Sequence, residues 1–335
     1  MSTFIQKGGF TDLVATTRVR LARNVKGYTY RGLGLGEYKE IADKVWSALQ
    51  STSAVASDFT MTEIRAGSRE AAALVEKHMI SPDLARSGGY LISSTDGGAA
   101  IMIGEEDHIR LQVLGSGLCP KECMETARRL AALLENSVPM DYDEKLGYLT
   151  ACPSNLGTGL RASVMLHLPV LAAYGGLPQM MSWAGRQGFT VRGAYGEGSK
   201  ATGSFYQLSN QITLGLSEDA IIDRLIDAAT GVIEAEKKAR EQLRTRDEIG
   251  LSDKVCRAAG TLKTARSIDT AEALDCLSFV LIGLQMGYLR GVPSQDIMAA
   301  EQAVRPVLLG GTASERDVKR ASFLRAVVEH LEVLD

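Results

Sequence analysis

The sequence predicts an α+β domain followed by an all-helical one, and three observations carry that prediction. Short stretches in which apolar and polar residues alternate recur through the first part of the chain, separated by stretches with helical spacing. A nearly all-charged run, EAEKKAREQLRTRDE, closes a long helical pattern and leads into a break at Gly250–Asp253. Beyond that break no strand pattern returns. The expected boundary therefore lies at 248/249, with a mixed domain over 1–248 and a helical domain over 249–335.

Taken in order, Ala15–Asn24 (ATTRVRLARN) reads as a strand in which Thr17, Val19 and Leu21 point one way and Arg18 and Arg20 the other. Two arginines on one face repel unless an anion lies between them, so the strand is either a solvated edge or one wall of an anion site. Glu37–Gln50 and Ser68–Met79 have helical spacing, and His78 falls near the end of the second, where an imidazole can cap. Gly89–Ser93 and Ala99–Ile103 form two strands joined by Asp96, Gly97 and Gly98. The second runs straight into GEEDHIRLQVL, which sets Glu105, Glu106, Asp107, His108 and Arg110 between two strands. Three successive acids usually mark a surface loop; at a junction of apolar strands they point to a site.

Pro120–Asn136 is a helix opened by proline. Cys119 and Cys123 lie four apart and are read as packing residues. A short helix covers Pro169–Tyr174, and Phe189–Tyr206 holds a Gly-rich turn with Arg192 and Glu197 between two strand-like pieces. Tyr206–Leu216 is a further strand ending at the Ser217 helix cap, from which one helix runs to about Arg246. Thr270–Leu289, Ser294–Val304 and Ser314–Val333 complete the helical domain.

With 335 residues, 45% apolar and 23% charged, the composition is that of an ordinary globular protein. A net charge of -3 gives no bulk attraction to nucleic acid or to an anionic membrane, so a bound phosphate must be met by clustered arginines. The N-terminus has no signal-peptide pattern and no apolar run reaches bilayer length, which places the expected protein in the cytoplasm. Five scattered cysteines argue against a disulfide framework and against a zinc site.

The most chemically loaded stretch is YLTACPSNLGTGLRASVMLHLP, Tyr148 to Pro169. Gly157 and Gly159 allow a loop that brings backbone N–H groups close to an anion. Arg161 follows, where its guanidinium can fork onto a phosphate. Cys152, just before the loop, is placed to act as a thiolate if positive charge surrounds it.

Together, TTRVRLARN, EKHMISPDL, GEEDHIRLQ, the Cys152 stretch, VRGAYGEGS and YQLSNQITLG resemble the phosphagen (guanidino) kinases, and more closely their bacterial protein-arginine branch. RDVKRA near the C-terminus is similar to the RDxxRA motif of that branch. The resemblance covers nearly the whole chain. It implies a catalytic domain built on an antiparallel sheet flanked by helices, which transfers a phosphoryl group from Mg²⁺-ATP to arginine side chains of proteins.

It further implies that Thr16, Thr17, Arg18, Val19 and Arg20 bind ATP together with His78 and Arg110. Two nucleotide segments are implied as well: Arg161, Ala162, Ser163, Val164 and Met165, then Arg192, Gly193, Ala194, Tyr195, Gly196 and Glu197. Glu106 and Glu197 fall on the carboxylates that hold the acceptor guanidinium, and Cys152 on the active-site cysteine. Arg316, Asp317 and Arg320 fall on an allosteric phosphoarginine pocket within a domain that makes a homodimer. The metal is expected to be held through ATP.

The chemistry explains these residue types. Phosphoryl transfer asks for alignment and charge neutralisation, which clustered arginines and Mg²⁺ supply. A guanidinium, with a pKa above about 12, is a poor nucleophile until carboxylates orient it and favour loss of a proton. Glu106 is assigned as the principal base and Glu197 as the orienter.

Three positions depart from the phosphagen kinases: Gly104 stands for Asn, Ser154 for Thr, and Met165 for His. Only Met1–Val14 precedes the first arginine motif, where phosphagen kinases carry a helical domain, so an uncovered site open to protein arginines is expected. The expected substrates are repressor or misfolded proteins with exposed arginines, marked for a Clp chaperone-protease in the stress response, with a zinc-binding activator protein as partner. The alternatives are a kinase for free arginine or another small guanidine, and an inactive phosphoarginine-binding adaptor.

Overall fold

The structure, a computed structural model, describes residues 4–52, 56–194 and 201–334, with Thr202 through its backbone alone. Its main element is a sheet with strand order β10-β11-β9-β2-β6-β5-β4-β3. In chain order the strands are β1 (Gln6–Lys7), β2 (Val14–Arg23), β3 (Phe59–Ile64), β4 (Gly89–Ser94), β5 (Ala99–Ile103), β6 (Ile109–Ser116), β7 (Tyr142–Asp143), β8 (Gly147–Tyr148), β9 (Leu160–His167), β10 (Phe189–Gly193) and β11 (Phe205–Asn210). β1 adds in parallel to the end of β6, while β2, β3, β4, β5 and β6 pair antiparallel. β7 and β8 form a separate two-stranded hairpin.

Register decides which side chains share a face. Arg20 pairs with Gln112, Ala22 with Arg110, and Arg110 with Met102, so these side chains stand on one face, with Arg18 two residues from Arg20. Val19, Leu21, Leu111, Val113, Ile101 and Ile103 stand on the other, and all are buried.

The arginine-bearing face is not uniform. At the β3–β5 end, Ile64, Leu91, Ala100 and Met102 are roofed by Ala71, Ile80 and Leu84 from the short helices Arg69–Glu76 and Pro82–Ser87 and the turn between them. Ser68 and Ser81 cap the two helices by accepting the amides of Ala71 and Leu84.

The chain divides into two compact units, one formed by Met1–Gly9, Thr16–Val164 and Ser209–Asp227, the other by Phe10–Ala15, Met165–Leu208 and Ala228–Asp335. This division follows packing rather than a single cut at 248/249. In the second unit Val170 and Phe205 share one apolar core with Leu251, Val255, Leu277 and Leu281.

Several expectations are corrected. The helix expected over Ser68–Met79 stops at Glu76, because His78 takes a left-handed conformation with φ 58°. The strand expected over Tyr206–Leu216 ends at Asn210, whose side chain accepts from the Ala162 amide and donates to the carbonyls of Leu160 and Ile212. The break expected at Gly250–Asp253 lies at Asp247, a non-helical residue within Glu218–Thr264. Its Oδ1 accepts the Gly250 amide and so caps the resumed helix. The C-terminal region is not purely helical, since β12 (Leu289–Arg290) pairs antiparallel with β13 (Glu332–Val333). Sequence reading passed over β3 and the helix Leu177–Arg186.

Candidate active site

The centre of the site is a patch of guanidinium groups on the open part of the sheet face. Burial first, and then the charges of Arg18, Arg110 and Arg161, push Arg20 well below the ordinary arginine pKa, against the opposing pull of Glu105. The four arginines are therefore close enough to repel. Such a cluster costs folding energy, which a polyanion bound among them would offset. Among the described residues, the buried Nε of Arg20 has no hydrogen-bond partner. His78 borders the same face, for its carbonyl accepts from Nε2 of Gln112, the register partner of Arg20.

At the β5–β6 junction, Gly104 turns the chain with φ +97°, a conformation that glycine adopts without strain. The Glu105 side chain is buried, with its Oε2 2.5 Å from Nη1 of Arg110. Glu106 is 40% exposed in its side chain and makes a longer ion pair, 4.0 Å, with Nη2 of Arg110, so its carboxylate stays accessible to a cationic ligand beside the arginine patch.

Asp107, fully inside, joins this turn to the cysteine loop. Its Oδ1 accepts from Asn24 Nδ2 at 3.0 Å and from the Ala151 amide at 2.7 Å, and its Oδ2 accepts from Asn155 Nδ2 at 2.9 Å. Glu106 and Cys152 are thus each one residue removed from the same short hydrogen bond. His108 reinforces the joint: its Nδ1 accepts the Val25 amide and its Nε2 contacts the Thr29 carbonyl, so the ring is held neutral and burial lowers its pKa.

Cys152 opens a 3-10 turn, Pro153–Asn155, and its Sγ lies 3.0 Å from Oγ of Ser154. One expectation fails here. Gly157 and Gly159 have φ +105° and +64°, but their amide-bearing loop does not cradle an anion. The amides of Gly157 and Thr158 go to the carbonyls of Tyr148 and Thr213. A Cβ on Gly157 would stand 2.5 Å from Thr213 O, and one on Gly159 2.5 Å from Ala22 O. The glycines serve close backbone packing, and the amides of Gly157 and Thr158 are taken up within the fold.

The structure gathers Arg18, Arg20, His78, Glu106, Arg110, Cys152 and Arg161 within one compact unit. Thr17 and Val19 are buried on the opposite face, and Thr17 Oγ1 donates to Gly117 O. Ala162, Ser163 and Val164 are buried within β9, and Met165 is partly buried. Arg192 is exposed on β10, with Gly193 at that strand's end and Ala194 following. Tyr195, Gly196 and Glu197 lie outside the described residues.

Arg316 is half-buried and donates to Gly311 O, whereas Arg320 is buried, donating to Val304 O, Ile268 O and Asp317 Oδ1. Sequence reasoning named Glu105 within the acidic cluster but missed its pairing with Arg110 and the Asp107–Asn24–Asn155 joint. Asparagine before an apolar turn and Asp between Glu and His were the available signals, but hydrogen bonding across eighty residues is not visible in spacing.

Residues 40–239 match the family model described as ATP:guanido phosphotransferase, C-terminal catalytic domain, and residues 248–335 match that of the protein-arginine kinase McsB C-terminal domain. A protein-arginine kinase of Desulforamulus reducens is 40% identical over 95% of this chain and 92% of its own length. One of Bacillus cereus is 39% identical over 95% and 93%. The chain belongs to the protein-arginine kinases of the ATP:guanido phosphotransferase family.

Among solved structures, lombricine kinase aligns with TM-score 0.56 and 25% identity over 68% of this chain and 67% of that one. The duplicated taurocyamine kinase of Schistosoma mansoni aligns with TM-score 0.58 and 26% identity over 76% and 39%. The chain is accordingly a guanidino kinase that uses ATP. Among the described residues no cluster of His, Cys, Asp and Glu could hold a metal by itself, and no helix is long and apolar enough to cross a membrane.

Proposed function

We propose that this protein phosphorylates arginine side chains of proteins, with ATP as phosphoryl donor and Mg²⁺ held through the ATP phosphates. The observation that carries the reading is the juxtaposition of Arg20, crowded by the charges of Arg18, Arg110 and Arg161, with an exposed carboxylate, Glu106, tied through Asp107 to the Cys152 loop. The arginines fit a polyphosphate and not a cationic acceptor; the carboxylate fits the acceptor and not the phosphates. The site thus has two ends of opposite charge preference, which is what in-line transfer between a nucleotide and a guanidine requires.

In this account Arg18, Arg20, Arg110 and Arg161 hold the phosphates and neutralise charge as the terminal phosphoryl group moves. The metal, when bound, supplies further neutralisation across the phosphates. Glu106 receives the guanidinium, orients one nitrogen and takes its proton as the phosphorus–nitrogen bond forms and the bond from the γ-phosphorus to the bridging oxygen breaks, with ADP leaving. Glu197 is proposed as the second carboxylate and Arg192 as a further phosphate ligand. Cys152, fixed beside Ser154, flanks the acceptor. We further propose that the product marks proteins for a Clp-type protease in the stress response, in the cytoplasm, with the kinase acting as a homodimer under a zinc-binding activator.

The test offers γ-labelled ATP with either an unfolded arginine-containing protein or free arginine, and counts label before and after mild acid, which cleaves phosphorus–nitrogen bonds. Acid-labile label on protein but not on free arginine is expected. Label on free arginine alone would make this a metabolite kinase.

A further inference from the structure

An apolar rim adjoins the cysteine loop and has no role in the chemistry above. Tyr142, Leu146, Ile212 and Leu214, on the two segments that border this loop, are exposed by 58%, 44%, 46% and 47%. Their grouping follows from backbone packing around Gly157. A Cβ on Gly147 would lie 2.4 Å from Gly157 O, and a Cβ on Gly157 would lie 3.0 Å from Leu214 Cα. The hairpin tip and the 212–214 turn therefore meet at Gly157, five residues from Cys152.

The rim is also held rigidly. Asp143 Oδ1 accepts the amides of Lys145 and Leu146 and fixes the hairpin tip. The Tyr142 and Tyr148 rings pack edge to face with centroids 5.2 Å apart, and Arg23 lies 3.4 Å over Tyr148. Thr213 Oγ1, between the two exposed residues of its turn, bonds the carbonyls of Ser154 and Leu156. Thr213 thus touches the loop whose Ser154 hydroxyl lies 3.0 Å from the Cys152 sulfur.

We infer that this rim docks apolar residues flanking the target arginine in an extended, unfolded segment of a substrate protein. The inference rests on the proposed function, which places an arginine side chain beside Glu106 and Cys152. The rim is continuous with the Cys152 loop, so residues beside an arginine held at that carboxylate have an apolar and preformed border within reach. A folded protein keeps such residues inside, whereas an unfolded segment presents them beside its arginines. Substrate choice then comes from the local chain rather than from a partner's folded surface.

The test uses two fluorescent peptides with a single arginine, one flanked by Leu and Phe, the other by Ser and Gly. Affinity is read by anisotropy, and kcat and KM by phosphate transfer, for the wild type and for the Leu146→Ser plus Leu214→Ser variant. The wild type should bind the apolar peptide about tenfold more tightly, and the variant should lose most of that preference through KM, with kcat and the polar peptide unchanged. Tyr142→Ser plus Ile212→Ser provides an independent pair should the first be unstable. Equal wild-type affinity for the two peptides, or a preference that survives both pairs, overturns the inference. So does an unchanged preference accompanied by dissociation of a dimer in sedimentation, which would make the rim a subunit contact. If the wild type transfers phosphate to neither peptide, the kinase reading fails while the binding comparison still decides the rim.

Discussion

Arg20 shows how one residue can serve ligand binding against the fold. Its charge is opposed by burial and by three neighbouring guanidinium groups, with Glu105 offering only partial relief. Arg20→Met should therefore raise the unfolding free energy of the nucleotide-free protein by about 1 kcal/mol while weakening ATP binding, as urea unfolding and nucleotide titration would record. A variant less stable than the wild type would mean that the repulsion is not felt.

His108 has the opposite relation to its surroundings, since its neutral form is the one the fold uses: protonating Nδ1 would remove the acceptor of the Val25 amide. Its pKa is lowered from 6.5, so its stabilising contribution is complete above that value and is lost as pH falls through the depressed folded-state value. Buried His167, with its pKa also lowered, adds to the slope in the same direction. Urea midpoints should fall between about pH 7.5 and about pH 5.5, and less steeply in a His108→Gln variant.

At the scale of elements, the site depends on how three segments far apart in sequence are tied together. Asp107 collects donors from the end of β2, from the approach to the cysteine loop and from its 3-10 turn. Asp107→Asn would set an amide donor against at least one of those donors. A loss of about 2–4 kcal/mol is expected in urea unfolding, together with a fall in kcat larger than the change in KM for ATP. Unchanged stability would show that the loop is held elsewhere.

This joint also marks what the sequence could and could not disclose. The alternation in ATTRVRLARN placed Arg18 and Arg20 on one face of a real strand, and the GEEDHIR junction does turn between two strands with Glu105 against Arg110, because period-two patterning and register act locally. The Gly157–Gly159 loop misled, because positive φ serves close backbone approach as readily as anion binding. The helix break lies three residues before Gly250 because Asp247, non-helical in its backbone, caps the segment that follows it. Arg320 looked like a surface fork by spacing, yet three acceptors draw it inside.

For the whole molecule, an overall charge of -3 coexists with four arginines drawn together by strands distant in sequence. Their mutual repulsion is sustained by the sheet beneath and by the buried apolar side chains of its opposite face. The central claim is that this arrangement delivers phosphate to a protein arginine held by Glu106. Phosphorus NMR of an unfolded arginine-containing protein, taken after incubation with Mg²⁺-ATP and either the wild type or Glu106→Gln, tests it most directly. A phosphorus–nitrogen resonance is predicted for the wild type. For Glu106→Gln its rate of appearance should drop by about 10²–10⁴, with ATP affinity within a few fold of normal. A phosphorus–oxygen resonance on the protein, or Glu106→Gln turning over near the wild-type rate, would contradict it.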